Sequence, residues 1–286
     1  MGKGSKVIIV NKKKFEETKE RIRLDGASKL HVLSDFDKTI TRGLTSDGKK
    51  ANTVISQFRS DPKYLGQAYF DEAHKLFDIY HPIEVDPNVL FKEKNAKMHE
   101  WWMRHFKLLA KSGLSLAVIG HVVSERPLEF REGSLEFLTM LESAGIPLIL
   151  MSAAPGDMLI EYLRASNLLL PNVYVIANLY NFDSKGKALD IREPIVHSMN
   201  KAEIVLEGHP VYKKVKTRRN VILLGDGLED PGMIEGFDYD NLIKIGFMNE
   251  DPKENLAHYK KAYDVVITGD GDMSFVNDLV REVLGK

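Results

Sequence analysis

Short apolar runs, each closing in polar or small residues, recur along the chain. They are Leu30-His31-Val32-Leu33, Pro147-Leu148-Ile149-Leu150-Met151, Val173-Tyr174-Val175-Ile176, Val221-Ile222-Leu223-Leu224, Leu242-Ile243-Lys244-Ile245 and Val265-Val266-Ile267. They have strand length, favour β-branched residues and mostly do not alternate with polar ones, the pattern of strands buried on both faces of a parallel sheet. Between them, apolar positions recur at helical spacing over 134–144, 157–165, 251–262 and 273–283. Strands alternating with helices predict an α/β fold with a doubly wound, Rossmann-like parallel sheet. The stretch from Ser46 to Pro127 breaks that rhythm. It reads as consecutive helices over 52–59, 66–79 and 92–112, and it holds both tryptophans, Trp101 and Trp102. Because a strand run precedes it, the expected organisation is a core of residues 1–45 plus 128–286, interrupted by an inserted helical cap over 46–127.

Composition then narrows the chemistry. Across 286 residues, 40 Lys and Arg stand against 41 Asp and Glu, a formal net charge of -1. No basic excess is available for counterion release, so a nucleic-acid polymer is not an expected partner. The chain has no cysteine, which excludes disulfides, zinc-thiolate sites, iron–sulfur clusters and thiol nucleophiles. No run approaches the roughly 18 apolar residues of a membrane span, so no membrane partner is expected. The Val7–Val10 run is too short for a signal-peptide core, and lysines at 12–14 follow it, so the expected location is cytoplasmic. Oligomeric state is left open.

Ligands of open α/β sheets bind at the carboxyl ends of the strands, so those ends carry the candidate chemistry. The Leu30 run leads into Ser34-Asp35-Phe36-Asp37-Lys38-Thr39, with two carboxylates two positions apart. Alone, the pair fits an ordinary Asx turn as well as a reactive site. The Val221 run leads into Gly225-Asp226-Gly227-Leu228-Glu229-Asp230. Carboxylates converging at one edge repel unless a cation neutralises them, and an all-oxygen set suits Mg2+ bridging to a phosphate. The Pro147 run ends in Ser152-Ala153-Ala154-Pro155-Gly156-Asp157, which is expected to open a helix, as a phosphate cradle or as a plain N-cap. A second Gly-Asp-Gly, Gly269-Asp270-Gly271, rivals the Asp226 site. We favour Asp226, because Asp230 lies one helical turn on and both can face one pocket. The later copy reads as a turn before the last helix.

The order of these motifs resembles the haloacid dehalogenase superfamily and, within it, the cytosolic pyrimidine 5'-nucleotidase family. The likeness runs from about Phe15 to the C-terminus, through Ser34–Thr39, Ile83–Pro87, Glu100-Trp101, Ser152–Asp157, His197–Lys201 and Ile222–Asp226. It implies a magnesium-dependent phosphomonoesterase acting on a small phosphate ester, with pyrimidine nucleoside 5'-monophosphates (UMP, CMP) as the expected substrates. In that reading Asp35 is the nucleophile that forms an aspartyl-phosphate, and Asp37 is the general acid and then base. Mg2+ is held by Asp35, the backbone carbonyl of Asp37 and Asp226, with Thr39 and Asp230 in support. Ser152 and the Ala153 N–H hold the phosphoryl oxygens. Lys201 is chosen over Lys185, Lys187, Lys213 and Lys214 by likeness to the family's Asn-Lys pair, to balance charge on Asp35 and the phosphoryl group.

The cap is expected to set specificity, with Glu84 against the nucleotide base and His105 as a second substrate contact. The sequence departs from the family at several positions. His105 stands in place of a serine and could stack or carry charge, Trp102 replaces a tyrosine, Gly227 a serine, and Ala154-Pro155 a Gly-Ile. Rival readings are a phosphatase of the same fold for another phosphomonoester such as phosphoserine, and a catalytically silent nucleotide-binding or scaffolding protein. Asp37-Lys38-Thr39 also matches in part the phosphorylated motif of ion-pumping ATPases, which would make Asp37 the nucleophile, but no membrane span accompanies it.

Overall fold

In the central strand Leu30–Ser34 (β2) every side chain is buried, which is why its sequence does not alternate. The other runs form β3 (Leu148–Pro155), β4 (Val173–Asn178), β7 (Asn220–Gly225), β8 (Asn241–Met248) and β9 (Val265–Thr268). The computed structural model describes residues 5–86, 88–126, 128–201, 210–235, 238–249 and 252–286. Pro87, Pro127 and Asp251, on which parts of the sequence reading rest, lie outside the described residues, as do residues 1–4.

Among the described residues these strands and β1 (Val7–Ile9) join a seven-stranded sheet of order β1-β9-β8-β7-β2-β3-β4. All neighbours are parallel except the edge strand β1, which runs antiparallel to β9. Alternate residues of one strand feed opposite faces. Leu148 and Leu150 of β3, and Ile222 and Leu224 of β7, enter one core with Phe15 and Ile22 of α1 (Lys12–Asp25), α6 (Ser134–Ser143), α7 (Gly156–Ala165) and α10 (Ser274–Val283). Ile149, Met151, Val221 and Leu223 enter the other, with Val215 of α8 (Tyr212–Val215) and residues of α9 (Pro252–Ala262). The fold is therefore α/β and doubly wound, as the alternation predicts.

Between β2 and α6 the chain is helical: α2 (Val54–Phe58), α3 (Gln67–Val85), α4 (Phe91–Lys111) and α5 (Leu116–Glu125). Helix α3 extends beyond the expected end at residue 79, running through Pro82 until Asp86 N–H donates back to the Pro82 carbonyl at 3.1 Å. A hairpin of β5 (Tyr180–Phe182) and β6 (Ala188–Ile191), which the apolar pattern does not signal, fastens this segment to the core. Tyr180 OH donates to the Phe106 carbonyl at 3.0 Å, and Ala188 N–H to the Leu114 carbonyl at 2.9 Å. The chain leaves for this helical segment and returns from it side by side, with Thr41 bridged to Phe130.

The strand order reverses around β2, whose neighbours are β3 on one side and β7 on the other. That is the switch point at which open α/β sheets bind ligands.

Candidate active site

Register brings the candidate residues to one edge. Ser34 lies opposite both Leu150 and Leu224, so Asp35, Ser152 and Asp226 all emerge within two positions of the same rung. Asp35 N–H continues the ladder, donating to the Leu224 carbonyl at 3.0 Å. Beyond it the chain turns sharply: the Phe36 carbonyl accepts from the N–H groups of Thr39, Ile40 and Thr41, and Lys38 adopts φ 59. Asp37 Oδ1 accepts from Val54 N–H at 2.8 Å, at the first turn of α2. Buried Thr39 donates to Asp35 Oδ2 at 3.4 Å.

Carboxylate oxygens of Asp35, Asp226 and Asp230 lie within 4.8 Å of one another. Lys201 Nζ donates to Asp35 Oδ1 and, at 3.1 Å, to Asp230 Oδ1. Asp230 Oδ2 accepts from Asp226 N–H at 3.0 Å and Gly227 N–H at 2.8 Å, which closes the loop after β7. The hydroxyls of Tyr259 and Tyr263 hold the carbonyls of Asp226 and Gly227 from the other side. Glycine is required at 225, because a Cβ there would stand 2.5 Å from the Cβ of Asp230. Asp230 is thus the partner of Lys201 and the keystone of its own loop.

Three carboxylates face one ammonium, leaving two negative charges unmatched when all are ionised. The electrostatics register this. Burial pushes Asp35 well above the carboxylate range despite Lys201, and pushes Asp226 up to about 7, with Asp230 adding to the effect. Burial also raises Asp37 to about 6. For Lys201, burial alone would lower the pKa, but Asp230 and Asp35 outweigh it and hold the ammonium charged. A divalent cation with oxygen preference fits this donor set and its charge deficit.

The sequence reading needs correction around Ser152. The helix opens inside the expected segment, with α7 starting at Gly156, but Ser152 is not at its start: β3 continues to Pro155 through an irregularity between Met151 and Pro155. Ser152 Oγ accepts from Ala154 N–H at 3.1 Å inside this bulged strand end. Asn178, which sequence reasoning missed, ties the bulge to the lysine loop. Its Nδ2 donates to the carbonyls of Ala153 (2.7 Å) and Val196 (2.8 Å), and its Oδ1 accepts from Val196 N–H. Asn200 braces the same loop, bonding to His197 N–H and the Ile195 carbonyl.

Glu84, near the end of α3, accepts from Ser198 Oγ at 3.0 Å, three residues before Lys201. His105 is buried inside the helical segment, where its Nε2 meets Tyr69 OH at 3.0 Å. Burial lowers its pKa to about 3, so the expectation that it could carry charge is overturned: the ring is neutral at physiological pH. Of the rejected lysines, Lys185, Lys187, Lys213 and Lys214 are all exposed, and Lys214 donates to Tyr174 OH. The second Gly-Asp-Gly does form a turn before α10, but Asp270 is buried and paired with Arg131 at 3.0 Å.

Known proteins share this chain's sequence pattern and fold. The family described as Pyrimidine 5'-nucleotidase (UMPH-1) matches residues 38–284. The 7-methylguanosine phosphate-specific 5'-nucleotidase of Gallus gallus is 35% identical over 264 residues, covering 92% of this chain and 91% of that protein. The crystal structure of cytosolic 5'-nucleotidase IIIB bound to cytidine superposes with a TM-score of 0.87 at 28% identity, over 98% of this chain and 93% of that one. A probable phosphoserine phosphatase from Vibrio cholerae, at 14% identity and a TM-score of 0.56 over 91% of this chain and 66% of that one, shares the fold alone. Among the described residues no helix is long and apolar enough to cross a membrane.

Proposed function

The chain belongs to the pyrimidine 5'-nucleotidase family and is a 5'-nucleotidase with the haloacid dehalogenase-type phosphatase fold, and on that premise we propose that it is magnesium-dependent and releases phosphate from nucleoside 5'-monophosphates through Asp35. The observation that carries this reading is the ion pair of Lys201 with Asp35 inside the carboxylate cluster, at the switch point of the sheet. Asp35 attacks phosphorus; the bond from phosphorus to the 5'-oxygen breaks, and Asp37 gives that oxygen its proton. Asp37, now a carboxylate, takes a proton from the water that hydrolyses the aspartyl-phosphate. Lys201 balances the charge on Asp35 and the phosphoryl oxygens, and Asp230 orients Lys201. Ser152 and the Ala153 N–H bind the remaining phosphoryl oxygens.

The carboxylates of Asp35 and Asp226 and the carbonyl of Asp37 would hold Mg2+. When bound, the cation offsets the negative charge that keeps phosphate from the nucleophile. The helical segment over 46–127 serves as the cap, excluding water and presenting Glu84 to the base. The cytosol is the proposed location, in keeping with the name of the cytidine-bound relative, a cytosolic 5'-nucleotidase.

For the base, the family's description and the cytidine in that relative support CMP and UMP. A second reading, 7-methylguanosine 5'-monophosphate, is favoured by the name of the Gallus gallus relative and by the aromatic cluster of Phe77, Tyr80, Trp101 and Trp102 in the cap. A 7-methylated guanine carries positive charge, which aromatic faces and a carboxylate such as Glu84 both attract. Phosphate release from CMP, UMP, 7-methyl-GMP, AMP and phosphoserine, with Mg2+ or EDTA, tests the proposal. Magnesium-dependent turnover of the first three above the last two is expected; preference for phosphoserine would refute it.

A further inference from the structure

Arg131 lies where the chain returns from the helical insert, and its side chain is fully buried. All five of its N–H groups are engaged. Nε donates to the Thr39 carbonyl (2.8 Å), Nη1 to Asp270 Oδ1 (3.0 Å) and the Gly271 carbonyl (2.6 Å), and Nη2 to the Lys38 carbonyl and Asn249 Oδ1 (2.6 Å). The Phe247 ring covers the guanidinium at 4.3 Å. Asn249 Nδ2 adds a second donor to the Lys38 carbonyl at 2.9 Å.

Asp270 is equally committed. Oδ1 accepts from Gly43 N–H at 2.7 Å as well as from Arg131, and Oδ2 accepts from Leu44 N–H (3.3 Å) and Arg42 Nε (3.2 Å). Gly43 allows the approach, since a Cβ there would lie 2.6 Å from the Asn249 side chain. One ion pair therefore grips the two residues immediately after Asp37 and, six to seven positions after Asp37, the segment that departs for the insert.

We propose that Arg131 and Asp270 are positioning residues for the reaction: their buried pair holds the Lys38 and Thr39 carbonyls, and thereby sets the placement of Asp37 against the substrate. The two ends of Asp37 are then fixed by different parts of the molecule. Its carboxylate is held by Val54 N–H of the insert, and the backbone behind it by Arg131 of the core. A buried ion pair is weak evidence for a role in stability alone, since apolar replacements often serve as well. A fork that saturates the backbone of the reactive loop has a geometric purpose instead, and lysine, a point charge with no fork, cannot reproduce it. This inference rests on the assignment of Asp37 as the proton donor.

The test compares kcat/KM for a nucleoside monophosphate that the wild type hydrolyses with kcat/KM for p-nitrophenyl phosphate. Nitrophenolate departs without needing a proton, whereas the nucleoside oxygen needs one. Arg131→Lys and Asp270→Asn are measured beside Asp37→Asn, with melting temperatures to confirm that each is folded at the assay temperature. Misplacement on the ångström scale costs on the order of 100-fold. We expect losses of that order with the nucleotide, and losses smaller by about tenfold with p-nitrophenyl phosphate, in both pair variants and in Asp37→Asn. If Arg131→Lys does not fold, Asp270→Asn, which keeps its shape and acceptor oxygen, decides the matter. Equal losses on the two substrates in a folded pair variant, while Asp37→Asn discriminates between them, would overturn the positioning role. Equal losses in Asp37→Asn itself would overturn the acid assignment, and this inference with it.

Discussion

Asp37 Oδ1 accepts the backbone N–H of Val54 at 2.8 Å, so the second carboxylate after the central strand also caps α2, the first helix that follows it. Thr53, the residue at the N-cap position, makes no such bond with its own side chain. One carboxylate therefore has a conformational task and a proposed chemical one, and substitutions can separate them. Asp37→Asn keeps an acceptor for Val54 but cannot cycle a proton. We expect it to melt within a few degrees of wild type while kcat falls on the order of 100-fold or more. Asp37→Ala loses the cap as well, at about 1 kcal/mol. Thermal denaturation beside steady-state kinetics checks both; equal melting of the two variants would contradict the capping role.

Lys201 is the cation that Asp35 and Asp230 share. Lys201→Met fills similar space without the charge. Loss of a positioned charge of this kind costs on the order of 100-fold in rate, and the expected defect is in kcat more than in KM. A variant within about threefold of wild type would remove Lys201 from the reaction.

The carboxylates predict a pH signature for cation binding. Burial raises Asp226 to about 7 and Asp37 to about 6, whereas an unfolded aspartate loses its proton near pH 4. Between about pH 4 and 7 these two carboxylates therefore hold more protons in the folded, cation-free protein than in the unfolded chain. These groups thus lower stability as pH rises through that window. Burial holds His105 and His197 down, at about 3 and about 4, and they act in the opposite sense, adding stability as pH rises towards about 6.5. The histidines cancel in the difference between melting curves taken with Mg2+ and with EDTA. That difference is expected to grow from about pH 5 to about pH 8, with proton release on Mg2+ binding near neutrality. A difference independent of pH would speak against a cation at Asp226.

The position of His105 predicts a structural effect. It is buried, neutral and bonded to Tyr69 OH. Replacement by leucine leaves that hydroxyl unsatisfied, at about 1–3 kcal/mol of stability. The ranking of CMP, UMP and 7-methyl-GMP by kcat/KM should survive at a temperature where the variant is folded. A reordered ranking would restore His105 as a direct base contact.

Much of the core was legible because burial on both faces leaves uninterrupted apolar runs, as in Val221–Leu224, and because carboxylates after such runs are conspicuous. The pattern failed where an element exists only through distant partners. Val7–Ile9 is a strand because it pairs with Val265–Ile267, and the short, polar hairpin at 180–191 is held by α4. Likewise Glu129-Phe130-Arg131-Glu132 reads as a charged loop, yet Arg131 is buried among groups 92 and 139 positions away. Asp270 is visible in the sequence as a motif and its partner is not, so the pattern alone shows a turn and nothing more. Ser152 was expected at a helix start because helix and strand-end signals coincide there; the bulge that separates them is a tertiary feature. Lys201 was singled out by resemblance, because no periodicity marks a lysine that reaches Asp35 across 166 positions.

Asp35 is the residue proposed to receive the phosphoryl group. Enzyme mixed with CMP or 7-methyl-GMP and Mg2+ can be quenched in acid, and the acyl-phosphate reduced with borohydride, which converts the phosphorylated aspartate to homoserine. Peptide mass spectrometry then reads its position. Homoserine at 35, absent without substrate and absent in Asp35→Asn, is the predicted result. Homoserine at 37 would contradict the account, and so would phosphate release that persists in Asp35→Asn.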